Sequence, residues 1–268
     1  MGVGSAGPAG AVRVAATADL RVSGERRGRL RGEFARVAEL ADVLLVAGGL
    51  TASGLVSEAE ILADELDGLG LPIVAVLGAG DYAAGQEGPM RAALTSMGWR
   101  ILEASATVLE VRGGGAGRGR GNGVRLGVAG MIGFAGGFGS DYELWAAARE
   151  HRVADRDQAR ATRFGRALAG LREQGAETDV DVTVAVTHFS PALATLAGER
   201  ENVKGNLGNE LIGHVIDAAG ADVALHGLAV NGARAGRTER GIPVYNVTRP
   251  VLGPPFTLLT LPVRSRAR

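Results

Sequence analysis

Short runs of β-branched and leucine residues alternate with amphipathic stretches through the first third of the chain. Val12–Ala18 is continuously apolar apart from Arg13 and Thr17, the pattern of a strand covered on both faces. From about Arg29 to Leu40 the apolar residues Leu30, Phe34, Val37 and Leu40 recur at three- and four-residue steps, which predicts a helix. Val43–Ala47 predicts a second buried strand, Val56–Leu69 a second helix, and Ile73–Leu77, entered from Pro72, a third strand. Strand, helix, strand, helix, strand at this spacing predicts parallel strands joined by crossover helices. Ligands in such sheets gather beyond the carboxyl ends of the strands. Asp19, Gly49 and Gly80 all fall just past such ends.

The middle of the chain changes character. Thr107–Arg112 and Val124–Gly130 predict two strands, joined by the glycine- and arginine-rich run Gly113–Gly123. That run lacks the G-x-x-x-x-G-K-[ST] order of a phosphate-binding P-loop, and no aromatic residue beside Arg118 or Arg120 offers a stacking surface for RNA. It reads as a hairpin loop. Met131–Ser140 is a second glycine-rich loop, expected near the mouth of a site, and Tyr142 to Gln174 is helical by composition. Val180–Thr187 predicts a strand ending at His188, followed by a polar loop from Pro191 to Gly208, a helix over Leu211–Ala219 and a short strand at Asp222–Leu225. Gly241–Val247 and Phe256–Pro262 predict closing strands. Neither an internal repeat nor a long polar linker divides the chain. The expected organisation is a disordered lead-in over residues 1–10, a single domain over 11–263 and a basic tail over 264–268.

Composition narrows the function classes. The 268 residues are 46% hydrophobic, enough for a sizeable core, and the 29 basic residues equal the 29 acidic ones. No net field therefore favours nucleic acid or an anionic membrane. The absence of cysteine removes disulfides, thiolate metal sites and cysteine nucleophiles. No run approaches the roughly 18 apolar residues of a membrane-spanning helix, and the first ten residues lack the basic and apolar regions of a signal peptide. The expectation is a cytoplasmic protein with no membrane partner and no specific nucleic-acid signal.

Five ordered segments carry the candidate chemistry: Ala18-Asp19-Leu20-Arg21, Val46-Ala47-Gly48-Gly49-Leu50-Thr51, Leu77-Gly78-Ala79-Gly80-Asp81-Tyr82, Val186-Thr187-His188-Phe189, and His226-Gly227-Leu228-Ala229-Val230-Asn231-Gly232. In order and in flanking residues they resemble the calcineurin-like metallophosphoesterases, whose patterns are D-x-H, G-D, G-N-H-D, a later H, and G-H-x-H. The resemblance spans about Val12 to Gly232. It implies an α/β fold, an α/β/β/α sandwich of two mixed sheets flanked by helices. It also implies a pair of divalent metals such as Mn, Fe or Zn, which in the family clamp a phosphoryl group and generate the attacking hydroxide.

Laid on those patterns, the chain keeps the expected side chain only at Asp19 and His188. Arg21 stands in a histidine position, and a guanidinium has no lone pair to give a metal. It would also repel the ion: two unit charges about 4 Å apart are worth about 4 kcal/mol at an effective dielectric of 20, and a divalent ion roughly doubles that. Gly49 replaces the bridging aspartate, Ala79 the asparagine ligand, Gly80 the catalytic histidine, and Leu228 and Val230 the last two histidines. Asp81 persists in what the family makes a supporting role. The flanks Asp81-Tyr82, Phe189-Ser190-Pro191 and Asn231-Gly232 remain similar to the family although the ligand positions do not.

The expected function is therefore a pseudoenzyme: a metallophosphoesterase-like fold with a lost metal site, no competent phosphohydrolase activity, no bound cofactor and Asp19 and His188 as vestigial ligands. One alternative is a metal-free binder of a phosphate-containing ligand or nucleotide through Arg21, since arginine pairs with phosphate by charge-assisted hydrogen bonds. Another is an active hydrolase with displaced ligands drawn from Asp81, His226, Asp141 or Glu103. A third is an interaction scaffold using the Gly/Arg loop or the Ser190–Gly208 loop. His226 lies two residues from the nearest ligand position, and His214 and His151 read as surface residues.

Overall fold

A computed structural model describes residues 10–112, 123–148, 151–173 and 180–263. The chain runs β1 (Ala11–Thr17), α1 (Arg29–Phe34), α2 (Val37–Leu40), β2 (Val43–Ala47), α3 (Val56–Leu66), β3 (Ile73–Val76), α4 (Glu87–Ser96), β4 (Arg100–Ile101), β5 (Ser105–Val111) and β6 (Val124–Met131). It continues through α5 (Ser140–Ala148), α6 (His151–Gly170), β7 (Val182–Thr187), α7 (Glu201–Lys204), α8 (Glu210–Ala219), β8 (Val223–His226), β9 (Ala235–Arg237), β10 (Pro243–Asn246), α9 (Arg249–Leu252) and β11 (Thr257–Pro262).

Two mixed sheets result. One has the order β11-β1-β2-β3-β4, parallel from β1 to β4 and antiparallel at β11. The other has the order β5-β6-β7-β8-β10-β9, with β6, β7, β8 and β10 parallel and both edges antiparallel. Alternation along each strand assigns side chains to layers, because successive residues point to opposite faces. Val12, Val14 and Ala16 of β1 and Val43, Leu45 and Ala47 of β2 meet Val182, Val184 and Val186 of β7 in the core between the sheets. Ala15, Leu44 and Val46 point the other way, onto Phe34, Leu62 and Leu94 of the outer helices. On the far side, Phe164 and Leu168 of α6 and Ile212 and Ile216 of α8 cover Ala129, Ala185 and Ala224. The architecture is an α/β/β/α sandwich of two mixed sheets flanked by helices, the fold that the sequence resemblance implied.

Several boundaries differ from the sequence reading. The helix expected over Arg29–Leu40 is two pieces: Ala35 N–H bonds the carbonyl of Gly32 at 3.4 Å, a tightened last turn, and Arg36 leaves helical geometry. Leu40, one of the apolar residues in that pattern, is 36% exposed. Helix α3 stops at Leu66, since Asp67 is extended and Gly68 and Gly70 take positive φ. The loop expected from Pro191 to Gly208 contains a 3-10 turn at Leu193–Leu196 and α7. The strands flanking the Gly/Arg run pair antiparallel as expected, whereas residues 113–122 of the run lie outside the described residues, as do 1–9 and 264–268. Among the described residues no helix is long and apolar enough to cross a membrane.

Candidate functional site

The five segments meet beyond the carboxyl ends of β1, β2, β3, β7 and β8. Past β1 the chain runs beside Gly48–Leu50: Asp19 N–H bonds the carbonyl of Gly48 at 2.9 Å, Arg21 that of Gly49 at 2.9 Å, and Val22 that of Leu50 at 3.0 Å. Asp19, Arg21 and Leu228 take positive φ of 57°, 47° and 68°. Each costs on the order of 1–2 kcal/mol for a side-chain-bearing residue, so the surrounding contacts hold these tips against strain.

Asp19 is buried and its carboxylate is already engaged. Oδ2 accepts from Leu228 N–H at 2.9 Å and from the Thr248 hydroxyl at 3.2 Å. Oδ1 lies 3.5 Å from Arg21 Nη2 and accepts no hydrogen bond. Arg21 and Asp19 thus form an ion pair, on an arginine side chain that is 58% exposed and an aspartate that is not.

His188 is 1% exposed. Its Nδ1 lies 2.8 Å from the carbonyl of Ala47; a carbonyl only accepts, so Nδ1 carries the proton and Nε2 keeps the lone pair. Glycines wall the ring. A Cβ on Gly48 would lie 2.5 Å from Nδ1, and one on Gly78 would lie 2.8 Å from Nε2 and 2.2 Å from Gly49 N. Gly49, at φ 67°, has no room either, because a Cβ there would sit 2.7 Å from Asp19 Oδ1 and 2.8 Å from Asp19 Cα.

Asp81 fastens these loops. Its Oδ1 accepts from Thr51 N–H at 2.8 Å and from the Thr51 hydroxyl at 2.6 Å, and its Oδ2 from Gly78 N–H at 2.7 Å and Leu50 N–H at 3.1 Å. Ala79 and Gly80, between Gly78 and Asp81, are exposed, and a Cβ at Gly80 meets only the Thr51 carbonyl, at 4.0 Å. Leu228 and Val230 are half-buried and present only carbon.

The residues named as displaced ligands are engaged elsewhere or turned outward. Glu103 accepts from the Tyr82 hydroxyl at 3.2 Å and pairs with Arg160 at 3.2 Å. Asp141 is exposed at the start of α5, against Gly137. His226 is fully buried: its Nδ1 donates to the Gly227 carbonyl and its Nε2 meets the Thr195 hydroxyl, both at 2.8 Å. The loop expected at the site mouth contributes only at its start, where the Ile132 carbonyl accepts from His188 and Phe189; Phe138 and Gly139 line a different cavity, beside α8. His151 opens α6, and its side chain lies outside the described residues.

Burial pushes the His226 pKa down to about 4, against the opposing hydrogen bond to Gly227. Its folded value lies below the unfolded one of about 6.5, so the unfolded chain takes up the proton first. The stability it contributes is complete above about pH 6.5 and is lost as pH falls toward 4, on the order of 3 kcal/mol in all. Urea unfolding at pH 7.5 and 4.5 should show this loss in the native sequence and a smaller one in His226→Asn; equal losses would disprove the assignment.

A cavity of about 550 Å³ opens beside Asp19, lined by Arg21, Arg29, Glu33, Val230, Asn231 and Arg249 among others. Arg249 pairs with Glu33 at 2.8 Å, and its N–H bonds the Ala18 carbonyl at 3.2 Å. Arg29, Glu33 and Arg249 lie outside the five motifs, and the sequence reading did not single them out.

The layers, strand order and convergent tips define an α/β/β/α sandwich of two mixed sheets. No protein-family model matches the chain, and no curated protein matches it. Among solved structures, TT1561 of Thermus thermophilus is similar over 95% of this chain and 100% of its own length, at 15% identity and a TM-score of 0.53. A second solved chain matches 94% of this one and 99% of itself, at 11% identity and a TM-score of 0.52. The sulfate thiohydrolase SoxB of Thermus thermophilus, solved in complex with glycerol, is 18% identical over 87% of this chain and 41% of its own, with a TM-score of 0.43. At these identities the likeness is one of fold.

Proposed function

We propose that this chain keeps the phosphoesterase scaffold without its dimetal hydrolysis, and that the hollow left at the strand tips binds an anion. The observation that carries the reading is the donor set. Of the family's ligand positions only Asp19 and His188 offer a lone pair, Arg21 sets a cation 3.5 Å from Asp19, and a side chain at Gly49 would overlap Asp19. Two divalent ions do not fit that set.

What remains can bind. Three arginines, Arg21, Arg29 and Arg249, line the cavity against two carboxylates, Asp19 and Glu33, and guanidinium groups grip phosphate oxygens in pairs. Asp19 lines the same cavity and its buried Oδ1 accepts no hydrogen bond, so a ligand with an anionic group and a hydroxyl or amino donor suits the lining best. A nucleotide or sugar phosphate has both.

Two measurements test the halves separately. With added Mn²⁺ the protein should hydrolyse bis(p-nitrophenyl) phosphate no faster than buffer; turnover that Asp19→Asn abolishes would defeat the non-hydrolase half. In thermal-shift assays with inorganic phosphate and AMP, a ligand at about 100 times its Kd should stabilise by about 2.7 kcal/mol, and Arg21→Ala should remove most of the shift. No shift with either compound would defeat the anion half alone.

A further inference from the structure

We propose that Glu210, His214 and Glu239 form a divalent-cation site, apart from the strand tips, whose donors suit zinc. Glu210 opens α8 and His214 lies one turn further on the same face. Glu239 comes from the turn between β9 and β10, and α8 itself holds that turn in place. Asp217 accepts from the Thr238 hydroxyl and, at 3.1 Å, from Arg240 N–H, so both neighbours of Glu239 are tied to the helix that carries the other two donors. Glu210 is oriented as well, because its Oε2 accepts from Gly139 N–H and its Oε1 is left facing His214.

The spacing separates an ion site from a plain ion pair. His214 Nε2 lies 3.3 Å from Glu239 Oε2 and 3.6 Å from Glu210 Oε1, and ligand atoms of all three residues fall within 4.8 Å of one another. A charge-assisted N–H···O bond draws its atoms to about 2.7–2.9 Å, tighter than either distance. Zinc bonds of about 2.0–2.1 Å to nitrogen and oxygen, set tetrahedrally, place neighbouring donors about 3.3–3.4 Å apart. The two observed distances lie at or near that edge length. The three side chains also line a cavity of about 380 Å³ with Phe138, Leu193 and Asp217, so an ion held by three protein donors keeps an open fourth position for water or a ligand. Among the described residues this is the one place where three or more such donors converge.

The test is calorimetric titration of the full chain with zinc chloride in a non-coordinating buffer. The expected result is one EDTA-reversible site per chain of micromolar affinity, weakened at least tenfold by His214→Ala and by Glu239→Gln. Glu239 is 72% exposed, so Glu239→Gln should leave the metal-free thermal midpoint unchanged. No heat of binding at submillimolar zinc would overturn the site, and so would binding that both substitutions leave intact. Zinc lost in Asp19→Asn instead would move the ion to the strand tips and overturn the non-hydrolase reading too.

Discussion

Asp81→Ala is expected to lower the unfolding free energy by about 4–6 kcal/mol, read by urea denaturation at neutral pH. The reason is a count of orphaned donors. The fully buried Asp81 carboxylate takes the N–H groups of Leu50, Thr51 and Gly78 and the hydroxyl of Thr51, and thereby joins the tip of β2 to the tip of β3. Each buried donor left without an acceptor costs about 1–3 kcal/mol, and water admitted to the vacated space recovers part of the total. Losses above about 4 kcal/mol come from a short list of causes, and a broken buried network is one of them. Asp81→Asn should fall between the two, because its amide NH₂ faces donors where an acceptor is needed. A loss below about 1.5 kcal/mol for Asp81→Ala would mean that other contacts hold the loops.

The same residue illustrates what the sequence could disclose. The central strands were legible because they are covered on both faces: Val43–Ala47 contains no polar residue, and all five side chains are buried. The convergence of the five segments was legible because they lie immediately past such runs, at strand ends where α/β sheets gather their loops. Asp81 was read as supportive, and its four accepted hydrogen bonds fit that role. The break after Phe34 was not legible, since apolar spacing continues through Val37 and Leu40 while the backbone tightens at Ala35. Nor was the arginine cavity. Arg249 reaches it only because β10 returns beside β8, a pairing that no local pattern encodes, and its partner Glu33 is 216 residues away in the chain. His214 is at the surface, as its sequence context suggested, but Glu239 becomes its neighbour only through the β9–β10 turn.

Restoring the family's ligands should create activity where none is expected, and the structure identifies the step on which this depends. Arg21→His, Ala79→Asn, Gly80→His, Leu228→His and Val230→His meet little steric resistance: Ala79, Gly80 and Arg21 are exposed, and Leu228 and Val230 already carry branched side chains at the tip and are only half-buried. Gly49→Asp is different, because its Cβ would lie 2.7 Å from Asp19 Oδ1 and 2.8 Å from Asp19 Cα. Made alone, it should cost about 1–3 kcal/mol in overpacking, with like charge adding to the loss. In the sixfold variant two bound cations would convert that repulsion into shared ligation and draw Asp19 away from Leu228 N–H and Thr248. The five-position variant that keeps Gly49 lacks the bridging carboxylate and should bind no metal pair. The sixfold variant should bind two Mn²⁺ per chain at the tips, by elemental analysis in a His214→Ala background, and hydrolyse bis(p-nitrophenyl) phosphate above buffer. If it folds and still binds none, the backbone around Gly48, Gly49 and Asp19 has itself closed over the site, and the loss extends beyond the ligating side chains.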